Sequence, residues 1–367
     1  MKTAILGIGT ELTDGQIINK NAAWLSSHLK EYGVLTTHHL VVPDDRLLIR
    51  EALDFCAGKC DVLFVTGGLG PTSDDFTRDL ISEWADLPLE WHEASWQHVN
   101  TRLTSRGYTV KEIQRQQCYF PRGSRVLFNS QGTANAFYLE AKGKKVFVLP
   151  GPPREIEAVW NSDIEAWLVE NTADLDPRIT RSWDTMGVGE SDIATIVEDV
   201  LKDVDVEKGY RVHLPYVEVK MSFLASEEDD FEPYVEKITE ALQFCLVTRD
   251  AETVPEMLAE ILSETSSISI QDEVTGSFLI NRVLPTFREI LNNTAWSFSN
   301  IADYEDESEV VLRILPVDEH HVKIETVKGQ QIHWDIIPSP YKTANMAERR
   351  LQYFAEMAMV NWVRMLR

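Results

Sequence analysis

The chain has 367 residues, more than the ~250–300 at which one hydrophobic core usually stops growing, so we expect two or three domains. Its 59 acidic residues outnumber 35 lysines and arginines, and the resulting net charge of −24 argues against nucleic-acid binding. No segment reaches the ~20 apolar residues of a membrane span, the N-terminus lacks a signal-peptide pattern, and the four cysteines have neither disulfide-framework nor zinc spacing. We therefore expect a cytoplasmic protein that binds neither nucleic acid nor membrane.

Predicted strands and helices alternate along the first 150 residues. Short apolar runs predict strands at residues 3–6, 34–42, 61–65, 126–128, 137–139 and 146–149. Apolar residues at helical spacing predict helix faces formed by Ala22, Leu25 and Leu29, by Leu48, Ala52 and Phe55, and by Thr77, Leu80, Ile81 and Trp84. The alternation predicts an α/β fold with a mostly parallel sheet and helices on both faces.

A polar, proline-bearing stretch at residues 170–181 predicts the first domain boundary. Beyond it, one helical segment and one strand with apolar alternation at Val217, Val219, Met221 and Phe223 predict a small α+β domain. The remaining chain contains predicted helices, further strands at 309–317 and 320–327, and a long amphipathic helix from Met346 to Leu366, which predict a C-terminal α/β domain. The predicted domains are residues 1–172, 176–250 and 253–367.

Three predicted strands of the first domain end in glycine-bearing turns, at Gly7 to Gly9, at Gly67 to Gly70, and at Gly151. In open α/β sheets, ligands bind beyond the carboxyl ends of the strands, where helix N-termini attract anions. The loops match neither the dinucleotide fingerprint nor the P-loop, since no third glycine and no Gly-Lys-Ser/Thr follows. Sharp structural turns explain the glycines about as well as a ligand site does.

Two adjacent aspartates, Asp74 and Asp75, follow the second of these turns. Thr72 and Asp75 fit a capping box in which Asp75 is the third helical residue and accepts from the Thr72 amide, but this leaves Asp74 unexplained. Carboxylates beside a phosphate-binding loop require a cation between them and the phosphates, and hard divalent ions prefer such oxygens. The sharper hypothesis is metal-assisted chemistry on a phosphate ester or anhydride.

Five segments resemble, in order, the motifs of the N-terminal domain of CinA-family proteins. They are GIGTELTDGQIINKNAAWLSSHL (7–29), VTGGLGPTSDDFTRD (65–79), KEIQRQQCYFPRG (111–123), QGTANAFYLE (131–140) and LPGPPREIEAV (149–159). That domain is similar to the molybdopterin-binding domain of molybdenum-cofactor biosynthesis enzymes. The resemblance implies an ADP-ribose pyrophosphatase that uses a divalent metal ion (Mg, Mn or Co) and releases AMP and ribose 5-phosphate. We therefore expect a small-molecule nucleotide diphosphate as the ligand, and a homodimer.

The same resemblance implies roles for individual residues. Asp74, Asp75, Lys111 and Arg115 would be catalytic, and the metal would be held by Asp74, Asp75 and Glu11. The amides of Gly67, Gly68 and Gly70, together with Thr72, would cradle phosphate. The implied substrate-binding set is Gly9, Thr10, Glu11, Asn19, Asn21, Thr66, Gly67, Gly68, Gly70, Thr72, Gln117, Gly132, Thr133, Gly151, Arg154 and Glu155.

Three alternatives remain open for these residues. Lys111 and Arg115 fit a solvated basic stretch as well as a site that neutralises a leaving phosphate. Arg154 and Glu155 fit a surface ion pair in the first helical turn after Pro153. The whole site fits a scaffold that holds a pterin or a nucleotide without cleaving it.

The later segments resemble the other CinA domains less closely. Residues 176–250 are compatible with a KH-like domain, but they lack the GXXG clamp that such domains use on RNA. The last segment resembles a nicotinamide-mononucleotide amidohydrolase domain, but where that family has Glu-Ser-Cys-Thr-Gly-Gly this chain has DEVTGS at 272–277.

Glu273 thus takes the position of the nucleophilic serine, and a carboxylate cannot replace an activated hydroxyl there. Ser277 lies about one helical turn, ~5 Å, further on. Phe298 and Asp303 align with the family's later tyrosine and lysine. We therefore predict a domain without deamidase activity.

Overall fold

A computed structural model describes residues 1–250, 252–292 and 294–367. The chain forms two compact units, Met1–Arg178 and Ile179–Arg367. Their boundary falls inside the polar stretch at 170–181, while the further division at residue 250 stays a prediction. Within the described residues, every helix is too short or too polar to cross a membrane.

The first unit contains eight strands and seven α-helices within its described residues. The strands are β1 (Lys2–Ile8), β2 (Leu35–Val42), β3 (Val62–Thr66), β4 (Leu89–Trp91), β5 (Tyr119–Pro121), β6 (Arg125–Leu127), β7 (Ala136–Ala141) and β8 (Lys144–Leu149). The helices are α1 (Thr10–Thr13), α2 (Lys20–Glu31), α3 (Arg46–Ala57), α4 (Thr77–Ala85), α5 (Glu93–Ser105), α6 (Pro153–Val159) and α7 (Glu165–Thr172). A 3₁₀ helix, Glu112–Cys118, precedes β5.

Six of these strands form one sheet in the order β2-β1-β3-β8-β7-β6. The first four are parallel to one another, and β7 and β6 add antiparallel pairs at one edge. Helices α3 and α4 pack on one face, and α2, α6 and α7 pack on the other. The predicted fold class, a mostly parallel sheet with helices on both faces, is confirmed.

Of the three residues predicted for the inner face of α3, Ala52 is confirmed, while Leu48 and Phe55 were each wrong by one position. Leu48 and Phe55 are about half exposed, whereas the buried residues are Ile49, Ala52, Leu53 and Cys56, with Ala57 beside them. Successive side chains of a helix point in directions that differ by 100°. A prediction that is off by one position therefore selects residues at the edge of the apolar stripe and misses those that face the core. The Asp45 carboxylate fixes where the helix starts, since it accepts from the Leu47 and Leu48 amides.

The sequence analysis also missed α5 and the β4-β5 hairpin. Only Ser95 and Val99 of α5 are buried, so the helix has almost no apolar stripe to detect. The two strands are three residues long each and pair antiparallel outside the main sheet. These elements connect α4 to the edge strand β6.

The second unit contains two sheets. Its strands are β9 (Arg178–Met186), β10 (Glu207–His213), β11 (Tyr216–Leu224), β12 (Leu246–Arg249), β13 (Ser267–Asp272), β14 (Ala295–Ser299), β15 (Val310–Asp318), β16 (His321–Lys328) and β17 (Gln331–Pro338). Its helices are α8 (Glu190–Val200), α9 (Glu228–Leu242), α10 (Val254–Leu262), α11 (Phe278–Ile290) and α12 (Ala347–Leu366).

The first sheet of this unit has the order β10-β11-β9-β12, and the second has the order β14-β13-β15-β16-β17. The alternation predicted for β11 is confirmed, because Val217, Val219, Met221 and Phe223 all lie in the core under α8 and α9. Strand β17 was missed, since its apolar residues Ile332 and Trp334 are exposed at the sheet edge. Strands β13, β14 and β15 are parallel, so their carboxyl ends lie along one edge.

Candidate functional site

The carboxyl ends of β1, β3 and β8 bring three loops of the first unit around one cavity of about 330 Å³. This volume lies within the range of ~300–1,000 Å³ that is typical of small-molecule sites. The lining residues are Ile8, Gly9, Glu11, Asp44, Gly67, Gly68, Leu69, Gly70, Asp74, Asp75, Gln117, Thr133, Ala134, Pro150, Gly151, Pro152 and Glu155. Eleven of the predicted site residues are therefore brought together.

Two glycines of the loop after β3 are required by the backbone. Gly67 and Gly68 have φ values of 101° and 66°, which disfavour other residues. A Cβ on Gly67 would lie 2.2 Å from the Ile8 carbonyl oxygen, and one on Gly68 would lie 2.1 Å from the Thr77 hydroxyl. The loop thus packs directly against the end of β1 and the start of α4.

Most of the amides predicted to cradle phosphate already have acceptors. The Gly67 amide donates to the Leu149 carbonyl at 3.1 Å. The Gly70 and Thr72 amides donate to the Asp75 carboxylate at 2.9 and 3.0 Å. Among the described residues, the Gly68 amide is the member of the predicted cradle that has no partner, so it is the backbone donor available to a ligand.

Asp75 is a turn residue in this structure. Besides the two amides, its carboxylate accepts from the Thr72 hydroxyl at 2.5 Å. The bond from the Thr72 amide was predicted as part of a helical capping box, and that placement was wrong, because α4 starts at Thr77 with Phe76 as its N-cap. Both Asp75 oxygens therefore organise the loop that precedes the helix.

Asp74 is exposed and lines the cavity. The Thr72 hydroxyl and the Asp74 backbone amide lower the pKa of its carboxyl. The side chain is therefore ionised at neutral pH and faces a ligand without a competing cation. Of the two adjacent aspartates, Asp74 has the more exposed side chain, whereas the carboxylate of Asp75 is held by the loop.

A buried arginine that the sequence analysis missed lies beneath the loop. Arg78, in the first turn of α4, donates to the carbonyls of Leu69 and Gly70 at 2.7 and 2.9 Å. Burial lowers the pKa of its guanidinium to about 10, which leaves it charged at neutral pH. Its position three residues before the buried Ile81 was the available signal, since the two share a helix face.

Glu155 is a partly buried carboxylate in the wall opposite the glycine loop. Burial raises its pKa, although Asn129 donates to its Oε2 at 2.7 Å. Asn129 is fully buried and is held by the amides of Gln131 and Gly132 and by the carbonyl of Ala134. Glu155 is therefore fixed through one oxygen, while Oε1 has no partner in the part of the chain that the structure describes.

Gln117 supplies a second acceptor to the same cavity. Its side chain is 1% exposed, and its Nε2 donates to Gln114 at 2.5 Å. Its Oε1 is buried without a hydrogen-bond partner among the described residues. Because an unpaired buried acceptor is unfavourable, this amide is suited to receive a donor from a ligand.

Nine predicted residues do not line the cavity: Thr10, Asn19, Asn21, Thr66, Thr72, Lys111, Gly132, Arg115 and Arg154. Several support its walls. Thr10 pairs with Asp44 at 2.8 and 3.0 Å, and Asn21 donates to the Gly151 carbonyl at 2.7 Å. Asn19 caps α2, and Gly132 donates to Asn129.

The predicted catalytic cations are also outside the lining. Arg115 lies over Trp91, 4.5 Å from the ring centroid, and pairs with Glu112 at 3.2 Å. Lys111 is exposed at the start of the 3₁₀ helix. Their catalytic roles stay predictions.

The cavity lining has five carboxylates, on Glu11, Asp44, Asp74, Asp75 and Glu155, and among the residues that the structure describes no lysine, arginine or histidine lines it. Among the described residues, no three acidic, histidine or cysteine side chains are grouped closely enough to hold a metal ion by themselves. Magnesium commonly binds one or two carboxylates and takes its other ligands from phosphate and water. The free carboxylates of Asp74 and Glu11 fit such a shared site, whereas Asp75 is occupied by the loop.

The corresponding strand end of the second unit, after β13, is arranged differently. Glu273, at the predicted serine position, accepts from the Ala302 amide at 2.8 Å. Asp303 donates its amide to Gln271 at 2.9 Å and accepts from Arg313 through its carbonyl at 2.7 Å. Phe298 packs against the core, and Ser277 precedes α11 without capping it. These residues have structural partners that account for their positions.

A larger cavity, of about 470 Å³, lies elsewhere in the second unit and contains none of the predicted residues. Its polar groups bond to one another. Tyr216 and Arg282 donate to the two oxygens of Glu356 at 2.5 and 2.7 Å, and His213 pairs with Asp184 at 2.8 Å. These contacts pair five of the polar side chains in the lining with one another.

Comparison with known proteins covers both units. The family model "Probable molybdopterin binding domain" matches residues 4–168. A competence-damage inducible protein of Alkaliphilus oremlandii is 32% identical over 322 residues, which cover 84% of this chain and 75% of that protein. One from Acetivibrio thermocellus is 31% identical over 320 residues, covering 83% and 76%. Among solved structures, that of the protein CinA from Thermoplasma acidophilum is 27% identical, covers 46% of this chain and 99% of its own, and has a TM-score of 0.41.

Proposed function

Since the chain belongs to the family of competence-damage inducible (CinA) proteins, with a molybdopterin-binding domain in its first unit, we propose that this unit is a pyrophosphatase. It hydrolyses the anhydride of ADP-ribose, or of a related nucleotide diphosphate, to AMP and ribose 5-phosphate. A divalent metal ion, Mg, Mn or Co, is required. Family membership gives the fold, and the reaction is inferred from the side chains that line one cavity of the first unit.

The observation that carries the proposal is the charge of that cavity. Within the described part of the chain, five carboxylates and no cationic side chain line the cavity beside Gly68 and the rest of the glycine loop. A ligand with two phosphates is repelled by this lining unless it arrives with cations. Asp74 and Glu11 would hold a divalent ion, which when bound neutralises phosphate charge.

Protein side chains supply the other functions that the reaction needs. The Gly68 amide donates to a phosphate oxygen, and Gln117 and Glu155 accept from hydroxyl or amino groups of the ligand. Glu155, through its unpaired Oε1, takes the proton of a water that attacks phosphorus. The phosphorus–bridging-oxygen bond breaks, the leaving phosphate keeps the bond electrons, and one water is consumed for each anhydride.

A second candidate function is a scaffold that binds a pterin or a nucleotide without cleaving it. Two observations favour it: the Asp75 carboxylate is fully occupied by Gly70 and Thr72, and Arg115 lies on Trp91. A site with these residues in structural roles retains acceptors for a ligand but has fewer groups for catalysis.

The test is to incubate the purified protein with ADP-ribose and each metal ion, or with a chelator, and to follow AMP and ribose 5-phosphate by chromatography. We expect both products only with metal, and a loss of at least about 100-fold in kcat/KM for Asp74→Asn. Asp86→Asn is the matched control, because Asp86 is exposed at the other end of α4 in a left-handed conformation that asparagine tolerates.

Products that form equally well without metal, or an Asp74→Asn variant as active as the Asp86→Asn control, would contradict the proposal. Retention of ADP-ribose or AMP by the protein without cleavage under any metal would favour the scaffold. Binding measured in the same samples by calorimetry separates these two outcomes.

A further inference from the structure

Arg78 differs from the other cations of the first unit in its surroundings. Its side chain is 2% exposed, beneath the glycine loop, and its two terminal nitrogens donate to the carbonyls of Leu69 and Gly70. Among the described residues, no carboxylate oxygen lies within 4 Å of its guanidinium. It is a buried charge that is hydrogen-bonded but not ion-paired.

Such an arrangement is unfavourable by itself. Removing a cation from water costs free energy, and neutral carbonyls compensate only part of that cost. Asp75 and Asp79 are near enough to favour the charged form, but neither forms an ion pair with it. The positive potential of Arg78 therefore extends into the loop above it, since a weakly polar interior screens charge poorly.

The hydrogen bonds of the loop direct this potential toward the cavity. Arg78 holds two carbonyls on the buried side, and the Thr77 hydroxyl holds the Gly67 carbonyl at 3.0 Å. Carbonyl oxygens are the negative ends of the peptide groups, and these three are held by Arg78 and Thr77, whereas the amide of Gly68, which lines the cavity, has no partner among the described residues. Arg78 does not itself line the cavity, and none of the described residues that do line it is a lysine, an arginine or a histidine.

We propose that Arg78 is the positioning residue that gives the glycine loop its affinity for phosphate, by its charge and without contact with the ligand. The inference rests on the proposed function, because it takes the anion to be a phosphate of the nucleotide. A purely structural role, in which Arg78 only ties down two carbonyls, makes a different prediction.

Three variants separate the two roles. Arg78→Lys keeps the charge but cannot hold two carbonyls, and Arg78→Gln keeps a hydrogen-bond donor but loses the charge. Arg122→Gln is the control, since Arg122 is an exposed arginine of the same unit that is paired with Glu90 and is absent from the cavity lining. AMP affinity is measured by calorimetry in magnesium, and thermal unfolding checks that each variant is folded.

We expect the Gln variant to bind AMP at least about tenfold more weakly, the Lys variant to stay within about threefold of wild type, and the control to be unchanged. Equal losses in folded Lys and Gln variants would assign Arg78 a structural role only. A Gln variant that binds AMP as tightly as wild type would also overturn the proposal.

A pH profile keeps the proposal testable if the Gln variant does not fold. A buried lysine loses its proton more readily than an arginine, so AMP affinity of the Lys variant should fall between about pH 7 and 10 while that of wild type stays level. A level profile in both proteins would contradict a role for the charge.

The wild-type assay distinguishes failure of this inference from failure of the proposed function. If the wild type cleaves ADP-ribose and the Gln variant keeps its AMP affinity, the pyrophosphatase stands and the role of Arg78 is wrong. If the wild type neither cleaves ADP-ribose nor binds AMP, both proposals fall.

Discussion

Two strand ends in this protein carry nearly the same carboxylate turn in different surroundings. After β3, Asp75 accepts from the Gly70 and Thr72 amides and from the Thr72 hydroxyl. After β13, Asp272 accepts from the Val274 and Thr275 amides and from the Thr275 hydroxyl. Each aspartate satisfies donors at a point where a strand turns toward a helix.

What differs is the space beside the turn. The first turn borders a cavity because Gly67 and Gly68 let the chain pass close to β1, and Asp74 remains exposed within that cavity. At the second turn, Asp272 is 1% exposed, and its neighbour Glu273 is bound to the Ala302 amide. The comparison shows that a carboxylate turn is a structural device, and that chemistry depends on the acceptors left free beside it, here Asp74, Glu11 and Glu155.

The largest effect on stability that tests this comparison is expected at Asp272. We expect Asp272→Asn to lower the free energy of unfolding by about 2–4 kcal/mol, because the asparagine amino group faces buried donors that need an acceptor. The same change at the more exposed Asp75 should cost about 1 kcal/mol. Urea denaturation of both variants checks this order. A larger loss of unfolding free energy at Asp75 than at Asp272 would contradict the prediction that the more buried turn is the more costly to disrupt.

The pH dependence of stability gives a second measurement on the Asp272→Asn variant. Burial raises the pKa of its carboxyl, despite the bonds from Thr275 and Val274 that favour the charged form. The folded state therefore holds this proton more tightly than the unfolded state, and its contribution to stability is complete below the ordinary pKa and is lost as pH rises through the raised one. The free energy of unfolding of wild type relative to Asp272→Asn should therefore be greatest at low pH and should fall as pH rises through the raised pKa.

The sequence predicted the fold of the first unit well because strands and helices alternate with a clear apolar period. The prediction failed for α5, where only two residues are buried and the apolar period is weak. It was off by one position in α3, because the N-cap at Asp45 determines which residues of the helix face the core. The five motif segments located the cavity, because loops at adjacent parallel strand ends must meet.

The supporting residues of the site were harder to predict. Asn129 and Asp44 act through bonds to residues that are distant in sequence or in another loop, and no local pattern marks them. Arg78 shares a helix face with the apolar Ile81, which was the one local signal of its burial, but the carbonyls of Leu69 and Gly70 that it contacts lie in a loop whose position the sequence pattern does not give. The bond pattern of Asp75 was predicted from Thr72, but the start of α4 was not, because Phe76 is an unusual N-cap.

An effect on catalysis concerns the acceptors beside the first turn. Because burial raises the pKa of Glu155, its carboxylate is lost at a higher pH than that of an exposed glutamate. If Glu155 accepts the water proton, kcat/KM for ADP-ribose should fall as pH decreases through this raised pKa. Glu155→Gln should lower kcat by about 10²–10⁴-fold and remove this acidic limb.

The control for this experiment is Glu157→Gln, two residues further along α6 at an exposed position. It should keep the wild-type rate and profile. An acidic limb that persists unchanged in Glu155→Gln would assign the titration to another group and remove Glu155 from the proton transfer.

The smallest expected effect is at Glu273, and it tests the second turn directly. Glu273→Ala removes one acceptor from the Ala302 amide at an exposed position, so we expect a loss of at most about 1 kcal/mol and no change in AMP formation. Glu273→Ser introduces a hydroxyl at the position that the sequence analysis aligned with a nucleophilic serine, but Phe298 packs in the core and Asp303 is held by Gln271 and Arg313. A hydroxyl without a base to activate it is a weak nucleophile. Neither wild type nor Glu273→Ser should therefore convert nicotinamide mononucleotide to nicotinic acid mononucleotide, and chromatographic detection of that product from either protein would show that this turn retains chemistry after all.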